Sequence, residues 1–110
     1  MASESLYRAV DEAERLDILA RRSFRTVPHS LEVKLFWESR ASAEQFIREV
    51  RRAEEVDRCI VEVRLDSEVM KAIPVDIMDS KPARIVYLEK LPWFNGCIED
   101  LEIPEMETNA

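Results

Sequence analysis

Glycine is almost missing from this sequence, since Gly96 is the single glycine among 110 residues. Dinucleotide-binding and P-loop fingerprints each require several glycines, because the backbone must turn tightly and approach a phosphate closely. The sequence therefore excludes Rossmann-type and Walker-type phosphate sites.

Histidine and cysteine are also scarce. His29 is the one histidine, and the two cysteines, Cys59 and Cys97, form no CxxC pair. These counts give no basis for a zinc site or for a disulfide scaffold, so we expect no metal. Cys59 stands at the start of an apolar segment, where a buried free thiol is usual. A Cys/His nucleophile pair is not excluded by the counts, but no local pattern supports one.

Long apolar runs are missing as well. No uninterrupted apolar stretch approaches the roughly 20 residues that a membrane-spanning helix needs. The first residues, 1–5, lack the basic and apolar regions of a secretory signal. We therefore expect a cytoplasmic protein that does not enter a membrane.

Basic residues are outnumbered, with 16 lysines and arginines against 23 acidic residues and a formal net charge of −7. Nucleic-acid binding draws most of its affinity from basic side chains that neutralise phosphates, so a nucleic acid is not the expected partner. An acidic domain would instead attract a basic protein partner. The oligomeric state is left open.

Hydrophobic patterning predicts both strands and helices. The four predicted strands are Leu6–Val10, Leu31–Trp37, Cys59–Leu65 and Ile85–Leu88. In the third strand, Val61, Val63 and Leu65 should face the core. The predicted helices begin at the N-cap Asp11, at a capping box of Ser42 and Gln45, and at Asp66, the last being cut to about two turns by Pro74. The segment Val75–Lys81 has weak signals and is assigned as a connector.

The order of these elements leaves two fold classes open. Alternating strands and helices are typical of a parallel α/β sheet. The strands alternate in polarity, however, which favours a sheet with one wetter face. We therefore predict an α+β fold with a small mixed or mostly antiparallel sheet of four to five strands, two main helices and one short helix. A single domain over residues 1–98 is expected, followed by an acidic, partly disordered tail over residues 99–110.

Arg8 is the first candidate for a functional role because it lies inside an apolar strand. A guanidinium is costly there unless it has a partner or holds an anion. One interpretation is a fork that binds a phosphate or carboxylate. The other is an edge-strand arginine that reaches solvent or pairs with Glu62 or Glu89.

A second group of candidates surrounds the next strand. Lys34 and Phe36 share the face predicted to be less buried, and Ser39 follows the strand, so the three could stack and hold a heteroaromatic ring. Ordinary strand packing is the competing explanation. Glu62 and Glu89, on later strands, could stabilise a cationic transition state or could be solvated surface acids.

Several blocks of the sequence are similar to the motifs of one known family. The first block, Leu6–Glu14, is similar to an opening strand that reads roughly Leu-Tyr-Arg-x-Val. The block Ser30–Ser39 is similar to a second motif, roughly Ser-x-Glu-Gly-Lys-Tyr-Phe-Ala-Glu-Ser. Further similarity lies in Asp17–Ala20, Ser23–Arg25, Ile60–Val63, Pro82–Arg84 and Leu91–Asn95. Together these blocks resemble the small ADP-ribosyltransferase-like domains of bacterial toxins.

This resemblance implies that NAD is bound as a substrate and that ADP-ribose is transferred to a target. Carried over by position, Arg8 would hold the dinucleotide and Ser39 would support the nicotinamide ribose. Glu89 would be the catalytic carboxylate, and Glu62 is the alternative for that role. Lys34 and Phe36 would complete the cofactor-binding side.

Two departures from the family pattern favour a different function. Val33 replaces the glycine expected before Lys34, and no Glu-x-Glu or Gln-x-Glu motif ends a strand. A β-branched residue is poorly suited to close backbone approach. The alternative hypothesis is therefore a non-catalytic, acidic protein-interaction module that has the same fold and binds a basic partner.

Overall fold

A computed structural model describes residues 2–25, 33–54, 57–78 and 80–105. Residues 26–32, which include His29 and the start of the predicted second strand, and residues 106–110 of the predicted tail lie outside the described residues. The strands are β1 (Ser3–Val10), β2 (Val33–Trp37), β3 (Cys59–Asp66), β4 (Val75–Met78), β5 (Lys81–Tyr87) and β6 (Ile98–Glu102). The helices are α1 (Glu12–Arg21), α2 (Arg40–Glu54), α3 (Ser67–Ala72) and α4 (Leu91–Gly96), and a 3₁₀ turn spans Leu88–Lys90.

The strands form one sheet in the order β4-β5-β2-β1-β3-β6. Every neighbouring pair is antiparallel. The predicted α+β class is thus confirmed, and the described residues contain six strands and four helices, where four to five strands and three helices were expected. Among these residues, no helix combines the length and apolarity needed to cross a membrane.

Helix α1 begins where the sequence predicts. The Asp11 carboxylate accepts a hydrogen bond of 2.9 Å from the Glu14 backbone N–H, which satisfies one of the free donors at the helix start. The helix ends at Arg21, and Arg22 adopts a left-handed conformation with φ of 56°. This turn closes the helix with a hydrogen bond from the Arg22 N–H to the Ile18 carbonyl.

Helices cover both faces of the sheet, and the larger core lies on the face that packs against α1, α3 and α4. Val61, Val63 and Leu65 of β3 point into this core with no exposed surface, as predicted. The opposite face packs against α2 around Trp37, which is buried there. Because α2 covers the second face, β2 has no wet side.

Three phenylalanines form the centre of the larger core. The ring centroids of Phe24 and Phe36 are 5.2 Å apart, and those of Phe36 and Phe94 are 4.9 Å apart. Asn95 holds the chain at Phe24 by accepting from its backbone N–H at 2.8 Å and donating to its carbonyl at 2.7 Å. Asn95 and Gly96, a dipeptide that is common in tight turns, are here the last two residues of α4.

The sheet is wider at both edges than the sequence indicates. Most of the expected connector Val75–Lys81 is the strand β4, and Lys81 opens β5. At the other edge, residues 99–102 pair with β3 as part of β6, beyond the domain boundary placed at residue 98. Both edge strands are short and mostly exposed, so their sequences lack the alternating burial that marks a strand.

Candidate functional site

Each of the three nitrogens of the Arg8 guanidinium donates a hydrogen bond to a protein oxygen. Its Nε and Nη2 donate to the two carboxylate oxygens of Glu14 at 2.7 and 3.1 Å, and Nη1 donates to the Leu35 carbonyl at 3.0 Å. β1 lies between β2 and β3, so the expectation of an edge-strand arginine paired with Glu62 or Glu89 is wrong. Glu14, in the first turn of α1, is the true partner. A two-pronged pair of this kind fixes α1 against the sheet.

Lys34 lies beside the same carboxylate. Its Nζ is 3.6 Å from Glu14 Oε2, the oxygen that also accepts from Arg8 Nε, and the residue is only 5% exposed. Burial, together with the nearby Arg8 charge, lowers the pKa of Lys34, and Glu14 offsets part of this effect. One glutamate therefore serves two cations on neighbouring strands.

We expect Lys34→Met to be neutral or to stabilise the protein by about 1 kcal/mol at pH 7, because a buried cation is removed while the Arg8–Glu14 pair remains. Because the pKa of Lys34 is lowered in the folded protein, the unfolded chain binds more protons than the folded chain as the pH approaches the ordinary value of 10.5. The free energy of unfolding of the wild type should therefore rise relative to that of Lys34→Met between pH 7 and 10.5. Urea unfolding of both proteins from pH 7 to 10.5 measures this, and a constant difference would contradict it.

Phe36 is a core residue rather than a ligand-stacking surface. It has no exposed surface, and its ring packs on Phe24 and Phe94, with the Arg8 Cζ 5.8 Å from the ring centroid. The prediction that Lys34 and Phe36 share the less buried face of β2 is wrong. That face carries the larger core, because α1 and α4 cover it.

Ser39 caps helix α2. Its Oγ accepts from the Ser42 backbone N–H at 3.1 Å and donates to the Ser42 hydroxyl at 2.9 Å. The helix begins at Arg40, so the predicted start at a Ser42–Gln45 capping box is wrong. Ser39 is exposed, and it belongs to the helix on the sheet face opposite Arg8.

Ser39→Ala should therefore lower stability by about 1 kcal/mol through the lost cap. Ser39→Asp should restore most of that loss, because a carboxylate also accepts from the first-turn N–H groups. Chemical denaturation measures both. Equal stability of the alanine variant and the wild type would contradict the capping role.

The two candidate glutamates lie apart from Arg8. Glu89 is exposed in the 3₁₀ turn after β5, not at the end of a strand. Glu62 points to the α2 face, where it accepts from Ser5 Oγ at 2.8 Å and from Arg40 Nη2 at 3.3 Å. The structure thus brings together Arg8, Lys34 and Phe36, and it separates them from Ser39 and Glu62 by the thickness of the sheet.

A depression of about 560 Å³ opens beside this cluster and contains acids and bases. Its charged lining residues are Asp11, Glu14, Asp17, Arg25 and Lys34. Asp17 is already paired with Arg25 at 2.9 Å. Three carboxylates against two cations, all five close together, make the depression a poor receptor for a pyrophosphate.

The described residues show little other reactive chemistry. They contain no group of three or more His, Cys, Asp or Glu side chains placed to hold a metal ion. Cys59 and Cys97 are free thiols. Burial raises the pKa of the Cys59 thiol, which disfavours the nucleophilic thiolate.

A surface that the sequence analysis missed lies at the β4 edge of the sheet. Here a group of large apolar side chains, which we name the β4 edge surface, is between 38% and 62% exposed: Val75, Ile77, Met78, Tyr87 and Trp93. An apolar groove of about 510 Å³ adjoins it, lined in part by Pro74, Ile85, Tyr87 and Trp93. The signal in the sequence was the apolar content of 75–78 directly after Pro74.

Comparisons with known proteins add no relatives. No family model, no curated protein and no solved structure matches the chain.

Proposed function

We propose that this chain is a non-catalytic protein-interaction module that acts in the cytoplasm and binds a basic protein partner through the β4 edge surface. The observation that carries the proposal is that exposed apolar side chains follow β4 at one sheet edge and that an apolar groove lined by Tyr87 and Trp93 begins beside Pro74, the residue before β4. Exposed apolar surface around a groove typically marks a site of protein association. Trp and Tyr, both present here, are the side chains most enriched in such sites.

The state of Arg8 supports the non-catalytic half of the proposal. The Nε and Nη2 edge of the guanidinium, which could hold a pyrophosphate in two-pronged fashion, donates to Glu14, and Nη1 donates to the Leu35 carbonyl, so a ligand that uses this edge must break the pair with Glu14. Glu14 is also tied to Lys34, so a ligand must displace a carboxylate from two cations at once. Such an exchange offers an anion no net gain in charge pairing.

Charge supports the basic nature of the partner. The chain carries a net charge of −7, which raises the rate at which a basic protein encounters it at low salt. The partner would contact the apolar side chains directly, and the net charge of the chain would add a long-range attraction. Because salt screens only the attraction between charges, binding should weaken but persist as the salt concentration rises.

The test captures partners from a cell extract on immobilised wild-type protein and on two matched variants. Val75→Lys places a cation in the β4 edge surface, and Leu19→Lys makes the same type of change at a residue of α1 that is 47% exposed. A protein that is captured by the wild type and Leu19→Lys, and lost with Val75→Lys, supports the proposal. The proposal is overturned if every captured protein still binds Val75→Lys, or if binding is lost only with Leu19→Lys.

A second candidate is the NAD-using ADP-ribosyltransferase that the sequence resembles. The observation in its favour is that Arg8, Lys34 and Phe36 do share one face of adjacent strands, with the Arg8 Cζ 5.8 Å from the Phe36 ring. In this function the Arg8–Glu14 pair would open to admit the dinucleotide, and Ser39 and Glu89 would act from separate elements.

Incubation with labelled NAD distinguishes the two candidates. The enzyme hypothesis requires transfer to the protein itself or to an added target, or hydrolysis, together with a rise in melting temperature on addition of NAD. The interaction-module hypothesis predicts neither effect at millimolar NAD. Arg8→Lys serves as the control, because any genuine signal should fall with it.

A further inference from the structure

β4 is an edge strand, and within the part of the chain that the structure describes no further strand pairs with its outer side. The Ile85 N–H donates to the Pro74 carbonyl at 2.9 Å, which makes these two residues a hydrogen-bonded pair. In an antiparallel ladder such pairs alternate, so Asp76 and Ala83 form the next one. The backbone N–H and C=O groups of Val75 and Ile77 therefore point away from β5. One of these four groups, the Ile77 N–H, is held by the Asp76 carboxylate at 2.8 Å.

β6, at the opposite edge of the sheet, is less able than β4 to pair with a further strand. On β6 the Leu101 N–H is held by the Asp100 carboxylate at 2.9 Å, and the Leu101 carbonyl accepts from Arg22 Nη2 at 3.0 Å. β6 also carries the acidic side chains Glu99, Asp100 and Glu102 on an exposed strand. Charged and covered edges resist pairing with another chain, whereas β4 has one charge in four residues.

The side chains of β4 divide between the two faces of the sheet. Val75 pairs with Arg84, which in turn pairs with Phe36, so Val75 and Ile77 lie on the face of the larger core, where α4 carries Trp93. Asp76 lies on the opposite face. An added strand would thus meet apolar groups at alternate positions and one carboxylate between them.

Charge repulsion disfavours pairing of β4 with the β4 strand of a second copy of this chain. Twofold antiparallel pairing through the outward groups of Val75 and Ile77 places Asp76 directly opposite Asp76 of the copy, and like charges in that position are destabilising. Two chains with a net charge of −7 also repel each other. A lysine or arginine opposite Asp76 has the reverse effect.

We infer that β4 is a strand-addition site: it binds an extended segment of a partner protein, antiparallel, with apolar residues opposite Val75 and Ile77 and a basic residue opposite Asp76. Main-chain hydrogen bonds supply affinity in this mode of binding, and alternate side chains supply specificity. The segment continues past Val75 into the groove beside Trp93, where an apolar side chain is accommodated. This inference rests on the proposed function and specifies its partner.

The probe is a synthetic nine-residue peptide, acetylated and amidated, with valine at alternate positions, lysine at the centre and threonine elsewhere. Trp93 is 42% exposed and Trp37 is 3% exposed, so a change in tryptophan emission on titration reports on the β4 edge surface. We expect a saturable change. Ile77→Lys should weaken binding at least about tenfold, because it adds a cation to the edge, and Leu19→Lys should leave it unchanged.

Backbone methylation of the peptide tests the strand-addition geometry itself. Valines opposite Val75 and Ile77 direct their N–H groups toward β4, and threonines direct theirs away. Methylation of the valine nitrogens should weaken binding about tenfold or more, since two hydrogen bonds are lost. Methylation of the threonine nitrogens, which adds the same number of methyl groups, should change it by less than about twofold.

A charge exchange tests the basic residue. A peptide with glutamate in place of lysine should bind the wild type more weakly, and Asp76→Lys should reverse that preference. Asp76→Asn is the control, because its side-chain oxygen still accepts from the Ile77 N–H while both peptides bind it about equally.

Three results would overturn the inference. Equal binding of the valine-methylated peptide would mean that partners dock through side chains alone. A dimer seen by analytical ultracentrifugation that Ile77→Lys dissociates would mean that β4 binds a second copy. Lack of binding by every peptide, while a captured partner still depends on Val75, would refute strand addition and leave the proposed function standing. The proposed function fails separately when no captured protein depends on Val75.

Discussion

Replacement of Phe36 with alanine should lower the free energy of unfolding by about 4 kcal/mol, the largest effect expected for any single substitution discussed here. The ring has no exposed surface and lies between Phe24 and Phe94, so its removal leaves a cavity at the centre of the larger core. Urea denaturation monitored by circular dichroism measures the loss. Phe36→Leu, which keeps most of the volume, should cost about 1–2 kcal/mol.

Trp93→Ala is the matched control for Phe36→Ala. Trp93 is also a large aromatic residue, but it is 42% exposed, so its removal should change stability by about 0.5 kcal/mol or less. A loss below about 1 kcal/mol for Phe36→Ala would mean that the ring is not a core residue and would revive its role as a ligand-stacking surface.

Glu14→Gln should have the second largest effect, a loss of about 2–3 kcal/mol at neutral pH. The substitution keeps the size of the side chain but removes the carboxylate charge that pairs with both Arg8 and Lys34. The side chains of Arg8 and Glu14 are 17% and 23% exposed, so solvent reduces the loss relative to a fully buried pair.

Glu12→Gln provides the control for Glu14→Gln. Glu12 is in the same first turn of α1 and pairs with Arg15, but its side chain is 48% exposed, so solvent screens the pair and Glu12→Gln should lower stability far less than Glu14→Gln does. The double variant Glu14→Gln with Lys34→Met should be more stable than Glu14→Gln alone, because one of the two unpaired cations is gone. A double variant that is no more stable would show that Lys34 does not depend on Glu14.

The antiparallel architecture could be predicted because its central elements carry strong local signals. β3 alternates between core residues and polar residues, and the Asp11 cap fixes the start of α1. The edge strands β4 and β6 could not be predicted in the same way. At an edge, backbone pairing on one side determines the strand, and side-chain burial leaves little pattern: all of β4 is exposed, and of β6 only Leu101 is buried.

The sequence indicated individual residues of the candidate site but not the contacts between them. Sequence reasoning identified Arg8 as a cation that needs a partner, and it placed the start of α1 at Asp11, three residues before Glu14. It did not connect them, because the contact depends on how α1 packs across β1 and β2, which no local pattern encodes. The same packing buries Lys34 and Phe36, whose face was expected to be the wetter one.

Ser39 shows a different limit of sequence reasoning. A serine just after a strand and before a helix fits both a catalytic hydroxyl and a helix cap. Ser42 and Gln45, within the next six residues, match a capping box, and that pattern predicted a start of α2 that is too late. The hydrogen bond from the Ser42 N–H to Ser39 Oγ assigns the cap to Ser39.

The most direct test of the central claim, that the Arg8 guanidinium is an internal structural group, is the NMR signal of its Nε–H proton during titration with NAD. The Nε–H donates to Glu14 at 2.7 Å, so the signal should be shifted downfield, should exchange slowly with water and should stay unchanged at millimolar NAD. A saturable movement of this signal on addition of NAD would contradict the account, because it would show that the pair with Glu14 opens to bind a nucleotide.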